Sequence, residues 1–374
     1  MKDNIEIKLI QKINEKDNNK DDNLVFSPIG LEIILSLCAN GAEGETQKEI
    51  LKVLTYKNIK EANDMSKKII EEFEKSDEVL KIANSVLTKV RAKEAFIKKG
   101  TNDYDAKIEE LKHYRQVNEW AKKKTKNNIV RIIDKVPPNV IMILLNAIYF
   151  EALWKNKFDP NLTNEKEFFN LNEPNSIRTM MMFSKGELLN YYENNNLQAV
   201  KLNYEPKAKS MSAIIILPHQ DIDINSFIKN FDNTIYEEII DGLNKEEKTK
   251  VNLYLPKFDI EFKAEISDIL NDLGIKKAFT NNAEFKGICD KKPIHIGQVI
   301  QKNYINVNEE GTQAASITEL EIMLECYVEK DQNSKDFNAN RPFLFILRNE
   351  NFPKGHDILF FSKVCRIGPD DDYY

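Results

Sequence analysis

The chain has 374 residues, with 41% hydrophobic and 30% charged residues, the balance of a globular protein with a full core. Its formal net charge of −6 argues against a chain built to bind nucleic acid or an anionic membrane. The four cysteines, Cys38, Cys289, Cys326 and Cys365, form no CxxC pair, which argues against a zinc site or disulfide framework and suits free thiols in a reducing compartment.

The opening residues, Met1-Lys2-Asp3-Asn4-Ile5-Glu6, lack the unbroken apolar run of a signal peptide. The longest apolar stretches, such as 141–145 and 213–217, are too short to span a bilayer. A cytoplasmic protein is expected, with export by a non-classical route left open. Ile5, Leu9 and Ile13, with Ile10 beside them, predict an amphipathic helix over 5–13, and a polar turn follows over 14–23. Ser27 as cap and Pro28 at the first helical position open a second helix through Ile29, Ile33, Ile34, Leu37 and Cys38. Further helices are predicted over 46–54 and 63–73. The alternation of basic and apolar residues predicts another over 117–133.

From residue 141 strands take over. The β-rich runs are 141–150, 213–217, 251–258, 298–307, 343–347 and 358–364, each bounded by turn residues. Helices first, then strands mixed with a few helices, argue for an α+β protein. No internal repeat and no Gly/Ser- or Pro-rich linker divides the chain, so residues 1–374 are read as one domain.

Catalytic signatures are missing: there is no GxSxG, HExxH, GxGxxG or GxxxxGK[ST]. The histidines, His113, His219, His295 and His356, are not spaced as a local metal pair. No enzyme, metal site or cofactor is therefore expected. Asn161-Leu162-Thr163 has the pattern of a glycosylation acceptor and is read as a turn. Lys122-Lys123-Lys124 with Lys126 is read as a solvated helix face.

One stretch stands apart, EEGTQAASITELEIMLECYVE over 309–329. The even-numbered residues from Thr312 to Leu324 are all small or apolar, and the odd ones include Gln313, Glu319, Glu321 and Glu325. That is the period-two pattern of a strand with one buried face. The same letters suit a helix: Ile317, Leu320, Leu324 and Val328 share a face, and Ser316 with Glu319 resembles a capping box.

These residues carry a resemblance. Asn308-Glu309-Glu310-Gly311-Thr312-Gln313-Ala314-Ala315-Ser316 resembles the hinge of the serpin reactive loop, and 337–345, FNANRPFLF, is similar to the signature that follows that loop. Asn146-Ala147-Ile148-Tyr149-Phe150 with Trp154, Phe158 and Asp159-Pro160 resembles another block of the family. So do Phe26-Ser27-Pro28, Asn40-Gly41-Ala42, Met180-Met181-Met182, Leu217-Pro218, Leu255-Pro256-Lys257-Phe258 and Leu273-Gly274-Ile275, all in family order.

The resemblance implies three β-sheets, about nine helices and an exposed reactive-centre loop over about 309–342. It implies a monomer that inhibits a target protease as a suicide substrate. The protease attacks the loop, an acyl-enzyme forms, and the cut loop inserts as a new strand of the main sheet, dragging the protease with it. The hinge would be Glu309, Glu310, Gly311, Thr312, Gln313, Ala314, Ala315 and Ser316; it carries no proline and no charge beyond the acid pair. Counting from Glu309 as in relatives puts the scissile bond at Glu325–Cys326, and a shift of one residue brings in Leu324–Glu325. Leu324 suits a chymotrypsin-like serine protease, Glu325 a Glu-specific one, and a cysteine protease is a further alternative. A non-inhibitory member acting as a binding or storage protein is the rival reading. Ser27, Asn146, Trp154 and Gln301 fall in the region that governs opening of the main sheet. There the family's second serine and its histidine are replaced by Gly30 and Gln301, and Ser362 stands where relatives have glycine.

Overall fold

The computed structural model describes residues 5–16, 20–75, 79–125, 127, 129–133, 135, 140–208, 210–245, 247–312 and 333–368. The N-terminal part runs α1 (Ile5–Glu15), β1 (Leu24–Phe26), α2 (Pro28–Gly41), α3 (Gly44–Val53), α4 (Ile59–Lys75), β2 (Leu80–Thr88), α5 (Glu94–Tyr104), β3 (Ala106–Glu110) and α6 (Tyr114–Lys124). Strands follow: β4 (Met142–Phe150), β5 (Ala152–Leu153), β6 (Asn164–Phe168), β7 (Ile177–Glu193), β8 (Leu197–Asn203) and β9 (Met211–Pro218). Then come α7 (Ile224–Asn230), α8 (Asn233–Leu243), β10 (Thr249–Pro256), β11 (Phe258–Glu265), α9 (Ser267–Leu273) and β12 (Ile296–Val307). The chain ends with β13 (Gly311–Thr312), β14 (Lys335–Asn338), β15 (Phe343–Asn349) and β16 (Ile358–Val364). The α+β expectation holds, with nine α-helices among the described residues.

The strands form two networks. One runs β3-β2-β4-β12-β13-β5, with β11 paired to β12. The other runs β1-β16-β15-β9-β8-β7-β10-β14, with β6 paired to β7. The second is two sheets sharing the long β7: Met181 to Leu189 pair with β10, and Asn190 to Glu193 pair with β8. Three sheets result, as the resemblance implied.

The helix start at Ser27 is as the residues dictate. Ser27 Oγ accepts from Gly30 N at 3.3 Å, and Pro28 needs no partner for a missing N–H. Every residue of α2 except Asn40 is buried, as suits a helix apolar on all sides. The main core gathers α2 with both strand networks; Phe258 of β11 meets Phe343 of β15 edge to face at 5.8 Å. A second, smaller apolar cluster joins Val117, Trp120 and Ala121 of α6 to Ile129, Ile132 and Ile133 and to strand residues such as Leu87, Leu145 and Ile300.

Three expectations need correction. The helix predicted over 117–133 ends at Lys124. Asn127 takes the left-handed conformation, φ 71°, and its amide donates to Lys122 O at 2.8 Å, a helix-ending geometry. Beyond it, Asn118 Oδ1 accepts from the amides of Ile132 and Ile133, so the isoleucines dock without a helix. The strand predicted over 251–258 is two strands, because Pro256 cannot donate and Lys257 N turns to Met180 O at 3.0 Å as the chain changes sheets. Nor do helices simply precede strands, since β2 and β3 lie between α4 and α6.

Candidate functional site

The candidate site is the line along which β4 and β12 meet, together with the expected hinge segment at its end. β4 and β12 are parallel neighbours, with Gln298 opposite Ile143, Gln301 opposite Asn146 and Tyr304 opposite Tyr149. Past Tyr304 their paths part. Into the gap comes β13, antiparallel to both sides: Thr312 faces Val307 of β12 and Ala152 of β5, and Gly311 faces Leu153. The hinge therefore begins as a strand at one end of a line that is closed along the rest of its length.

The turn before β13 is tied by Asn308. Its Oδ1 accepts from the amides of Glu310 and Gly311 at 3.0 and 3.2 Å, its N donates to Gly311 O, and its carbonyl accepts from Trp154 Nε1 at 2.9 Å. The backbone carbonyls of Glu309 and Glu310 accept from Phe158 N and Trp154 N at 3.0 and 2.8 Å. The two acids are matched by lysines: Lys257 Nζ lies 3.3 Å from Glu309, and Lys157 Nζ 2.6 Å from Glu310. Hydrogen bonding to Glu310 holds the Lys157 ammonium above its ordinary pKa. A Cβ at Gly311 would stand 2.1 Å from Ala152 O, so only glycine fits this close approach.

Thr312 has no exposed surface. Its Oγ1 lies 2.8 Å from Tyr204 OH, a hydrogen bond buried on both sides. Tyr204 stacks on Trp154 with ring centroids 4.7 Å apart, and burial pushes its phenol pKa up. Trp154 thus belongs to the hinge end of the line.

Farther along the line, Ser27, Asn146 and Gln301 form one buried hydrogen-bonded cluster. Gln301 Oε1 accepts from Ser27 N, and Gln301 Nε2 donates to Ser27 O and to Asn146 Oδ1, each at 2.8 Å. Asn146 Nδ2 donates to Asn84 Oδ1 at 2.8 Å, and Asn303 Nδ2 donates to Gln301 Oε1 and Val25 O. The amide of Gln301 uses both its donor and its acceptor sides, which lets it stitch β12, β4 and the start of α2 together. Gly30 sits against this cluster: a Cβ there would fall 2.3 Å from Asn146 Oδ1.

Gln313, Ala314, Ala315 and Ser316 lie outside the described residues, as do Leu324, Glu325 and Cys326 of the two candidate bonds. Sequence reasoning missed Tyr204, Lys157, Asn84 and Asn303, and quoted Asn308 only as the residue that opens the hinge motif. Only Asn303 carried a signal, since it shares a strand face with Gln301 two residues away. Cys38, Cys289 and Cys365 are buried free thiols, and burial pushes the Cys365 pKa up to about 11. His113 Nδ1 accepts from Arg115 N, His219 Nε2 bonds Asn194 O, and His356 Nδ1 lies 2.8 Å from Glu32. Among the described residues no group of three or more His, Cys, Asp or Glu is placed to hold a metal ion, and no helix is long and apolar enough to cross a membrane.

The family model "Serpin (serine protease inhibitor)" matches residues 2–367. Leukocyte elastase inhibitor of Xenopus laevis is 30% identical over 375 residues, covering 95% of this chain and 95% of that protein. Tengpin, a thermophilic serpin solved in the native state, superposes with a TM-score of 0.84 at 26% identity, covering 97% of this chain and 92% of its own. Human thyroxine-binding globulin, solved with its hormone, superposes with a TM-score of 0.82 at 21% identity over 97% of each chain, a likeness of fold alone.

Proposed function

This chain belongs to the serpin family, and from that membership we propose that it inhibits a protease as a suicide substrate. The protease's nucleophile attacks the carbonyl carbon of one loop bond. That bond breaks, the downstream segment leaves with a new amine terminus, and the upstream segment stays esterified to the protease. Before water can cleave the ester, the freed loop inserts between β4 and β12 and displaces the protease from its docked position.

The observation that carries this reading is β13. Thr312 is already paired on both sides, to Val307 and Ala152, while β4 and β12 pair directly with each other beyond it. A strand entering from that end separates two neighbours and bonds to both. The β4–β12 bonds lost are replaced by bonds to the loop, and a further row forms, at about 1 kcal/mol net per hydrogen bond. The alternating face of the loop sequence puts Ala314 and Ser316 behind Thr312, with Leu320, Ile322 and Leu324 to follow, each of the latter worth roughly 1.5–3 kcal/mol when buried.

The bond cut is Leu324–Glu325 and the target is a chymotrypsin-like serine protease; a cut at Glu325–Cys326 would instead suit a Glu-specific protease. The acids Glu319, Glu321, Glu325 and Glu329 favour a target with a basic approach surface. Buried free thiols at Cys38, Cys289 and Cys365 suit a reducing compartment.

The test is to mix the protein with trypsin, chymotrypsin, a Glu-specific protease and a cysteine protease, then look for an SDS-stable adduct and sequence the released N-terminus. Chymotrypsin is expected to give the adduct, with release beginning at Glu325; an adduct with the Glu-specific protease and release beginning at Cys326 would move the bond to Glu325–Cys326 and the target class with it. Complete loop cleavage by every protease with no adduct from any would sink the inhibitory reading in favour of a non-inhibitory binding protein. Release beginning past Tyr327 would refute both bonds.

A further inference from the structure

Glu32 is the one charged residue of α2, and it is buried, only 2% exposed. A buried carboxylate persists only where donors or an opposite charge compensate it. Tyr56, which follows α3, donates its phenol proton to Glu32 Oε1. His356, in the turn between β15 and β16, places Nδ1 2.8 Å from Glu32 Oε2. The two rings lie parallel within 8°, with centroids 6.1 Å apart. Burial and the Glu32 charge push the Tyr56 phenol pKa up, so it stays a neutral donor. Among the described residues no lysine or arginine pairs with Glu32, which leaves the His356 ring as its counter-charge.

The other charges around this junction are engaged elsewhere. Glu61 of α4 and Tyr104 of α5 face Tyr56, and Glu61 accepts from Lys57 N at 2.7 Å. Asp357, next to His356, is taken by Arg348 of β15 at 3.0 Å and by Tyr236 of α8 at 2.8 Å; Glu6 of α1 also acts on Tyr236. Lys354 reaches Glu237 of α8 at 3.7 Å, and Glu350 pairs with Lys201 of β8 and accepts from Ser212 of β9. Glu72 of α4 accepts from Asn351 and Lys75. Glu49 of α3 accepts from the Lys276 and Lys277 amides, and Lys363 of β16 donates to Lys20 O and Asn225.

We propose that His356 and Glu32 form a proton-operated clasp that fastens the β15–β16 turn to α2. With Nδ1–H donating to Glu32, the second ring proton goes to Nε2; the side chain is 15% exposed, enough to exchange that proton with water. The imidazolium then faces a buried carboxylate, which favours the charged ring at pH values above about 6.5, the midpoint of an unperturbed histidine. Such a group contributes stability that is fully present below about pH 6.5 and is lost as pH rises through the folded-state midpoint. The clasp is separate from the Gln301 cluster and from the inhibitory mechanism. It sets how firmly the turn is held to the helices, not how β4 is held to β12.

The test is an NMR titration of the imidazole C–H signals of the native full chain, which has four histidines. The His356 signal is assigned by its loss in His356→Gln. A midpoint above about 6.5 is expected, falling by about one pH unit in Glu32→Gln. Amide exchange over 351–356, corrected for the intrinsic effect of pH, should be slower at about pH 6 than at about pH 8.5 in the parent, and lose that difference in His356→Gln. Where Glu32→Gln does not fold, melting curves carry the test: the parent should melt above His356→Gln at about pH 6, with a margin that shrinks by about pH 8.5. A His356 midpoint at or below about 6.5, a midpoint unmoved in Glu32→Gln, or the same melting margin at both pH values overturns the proposal.

Discussion

Thr312 is held so closely that its replacement tests the hinge directly. It is walled by Val307 and Ala152, and its hydroxyl meets Tyr204 OH at 2.8 Å in a buried place. Thr312→Val keeps the shape but leaves the Tyr204 hydroxyl unpaired, at a cost of about 1–3 kcal/mol to hinge docking. Thr312→Arg brings a charge where none can be solvated, so insertion should lose the race against hydrolysis. Gel analysis with the target protease is expected to show cleaved chain in place of adduct; full adduct yield in this mutant would mean that insertion does not begin here. Gly30 makes a second prediction. Serine at this position would match the family pattern, yet its Cβ would meet Asn146 Oδ1 at 2.3 Å and Ile148 Cδ1 at 2.6 Å. Gly30→Ser should therefore destabilise the protein by about 1–3 kcal/mol, the usual cost of overpacking. A thermal melt equal to or above the parent's would refute this.

Among the elements, what was legible in sequence were those with a clean period or a cap. The helix after Ser27 and the runs that became β4, β9, β12, β15 and β16 are of that kind. β2 was not: it reads LKIANSVLT, and Asn84 and Ser85, on opposite faces of the strand, are both buried because each has a partner, Asn146 for Asn84 and Lys107 O for Ser85. Period-based reasoning treats such residues as solvent-facing and loses the strand. The segment after α6 misled in the opposite way. Ile129, Ile132 and Ile133 continue an apolar pattern, but they belong to a separate small core pinned by the Asn118 side chain. That core contains residues of β2, β4 and β12, so it lies over strands that part in the proposed insertion. Ile132→Ala should cost about 2–5 kcal/mol, as for other buried isoleucines, and should loosen this core before the main one. Urea unfolding is expected to gain an early step, and hydrogen exchange to quicken in α6 first. A single transition with uniformly faster exchange would show that the two cores melt together.

For the whole molecule, the family and fold class could be read from the sequence because short blocks recur in a fixed order from Phe26 to Ile367. The pairing that gives those blocks meaning could not. That Gln301 sits opposite Asn146 depends on strand register, and that Tyr204 meets Thr312 depends on a contact 108 residues apart in sequence. The proposed mechanism makes a demand on the entire fold. If cleavage turns the loop into a strand between β4 and β12, the nicked protein should melt well above the intact one, because a row of hydrogen bonds and several apolar side chains are added. Calorimetry before and after limited proteolysis decides the matter, and equal melting temperatures would count against insertion.

The cluster joining β4 to β12 has one more consequence. Asn84, Asn146, Gln301 and Asn303 contribute side-chain amides and Ser27 its backbone N–H and carbonyl, and none of these groups gains or loses a proton between about pH 5 and 8. The fastening is indifferent to acidity, and a loop-mimicking peptide should enter the sheet at the same rate across that range. Gln301→His would change this. Its imidazole, protonated below about pH 6.5, could no longer accept from Ser27 N and Asn303 Nδ2, and peptide entry would quicken as the medium turned acid. An amide at this one position spares the molecule a dependence on the acidity of the place where it works.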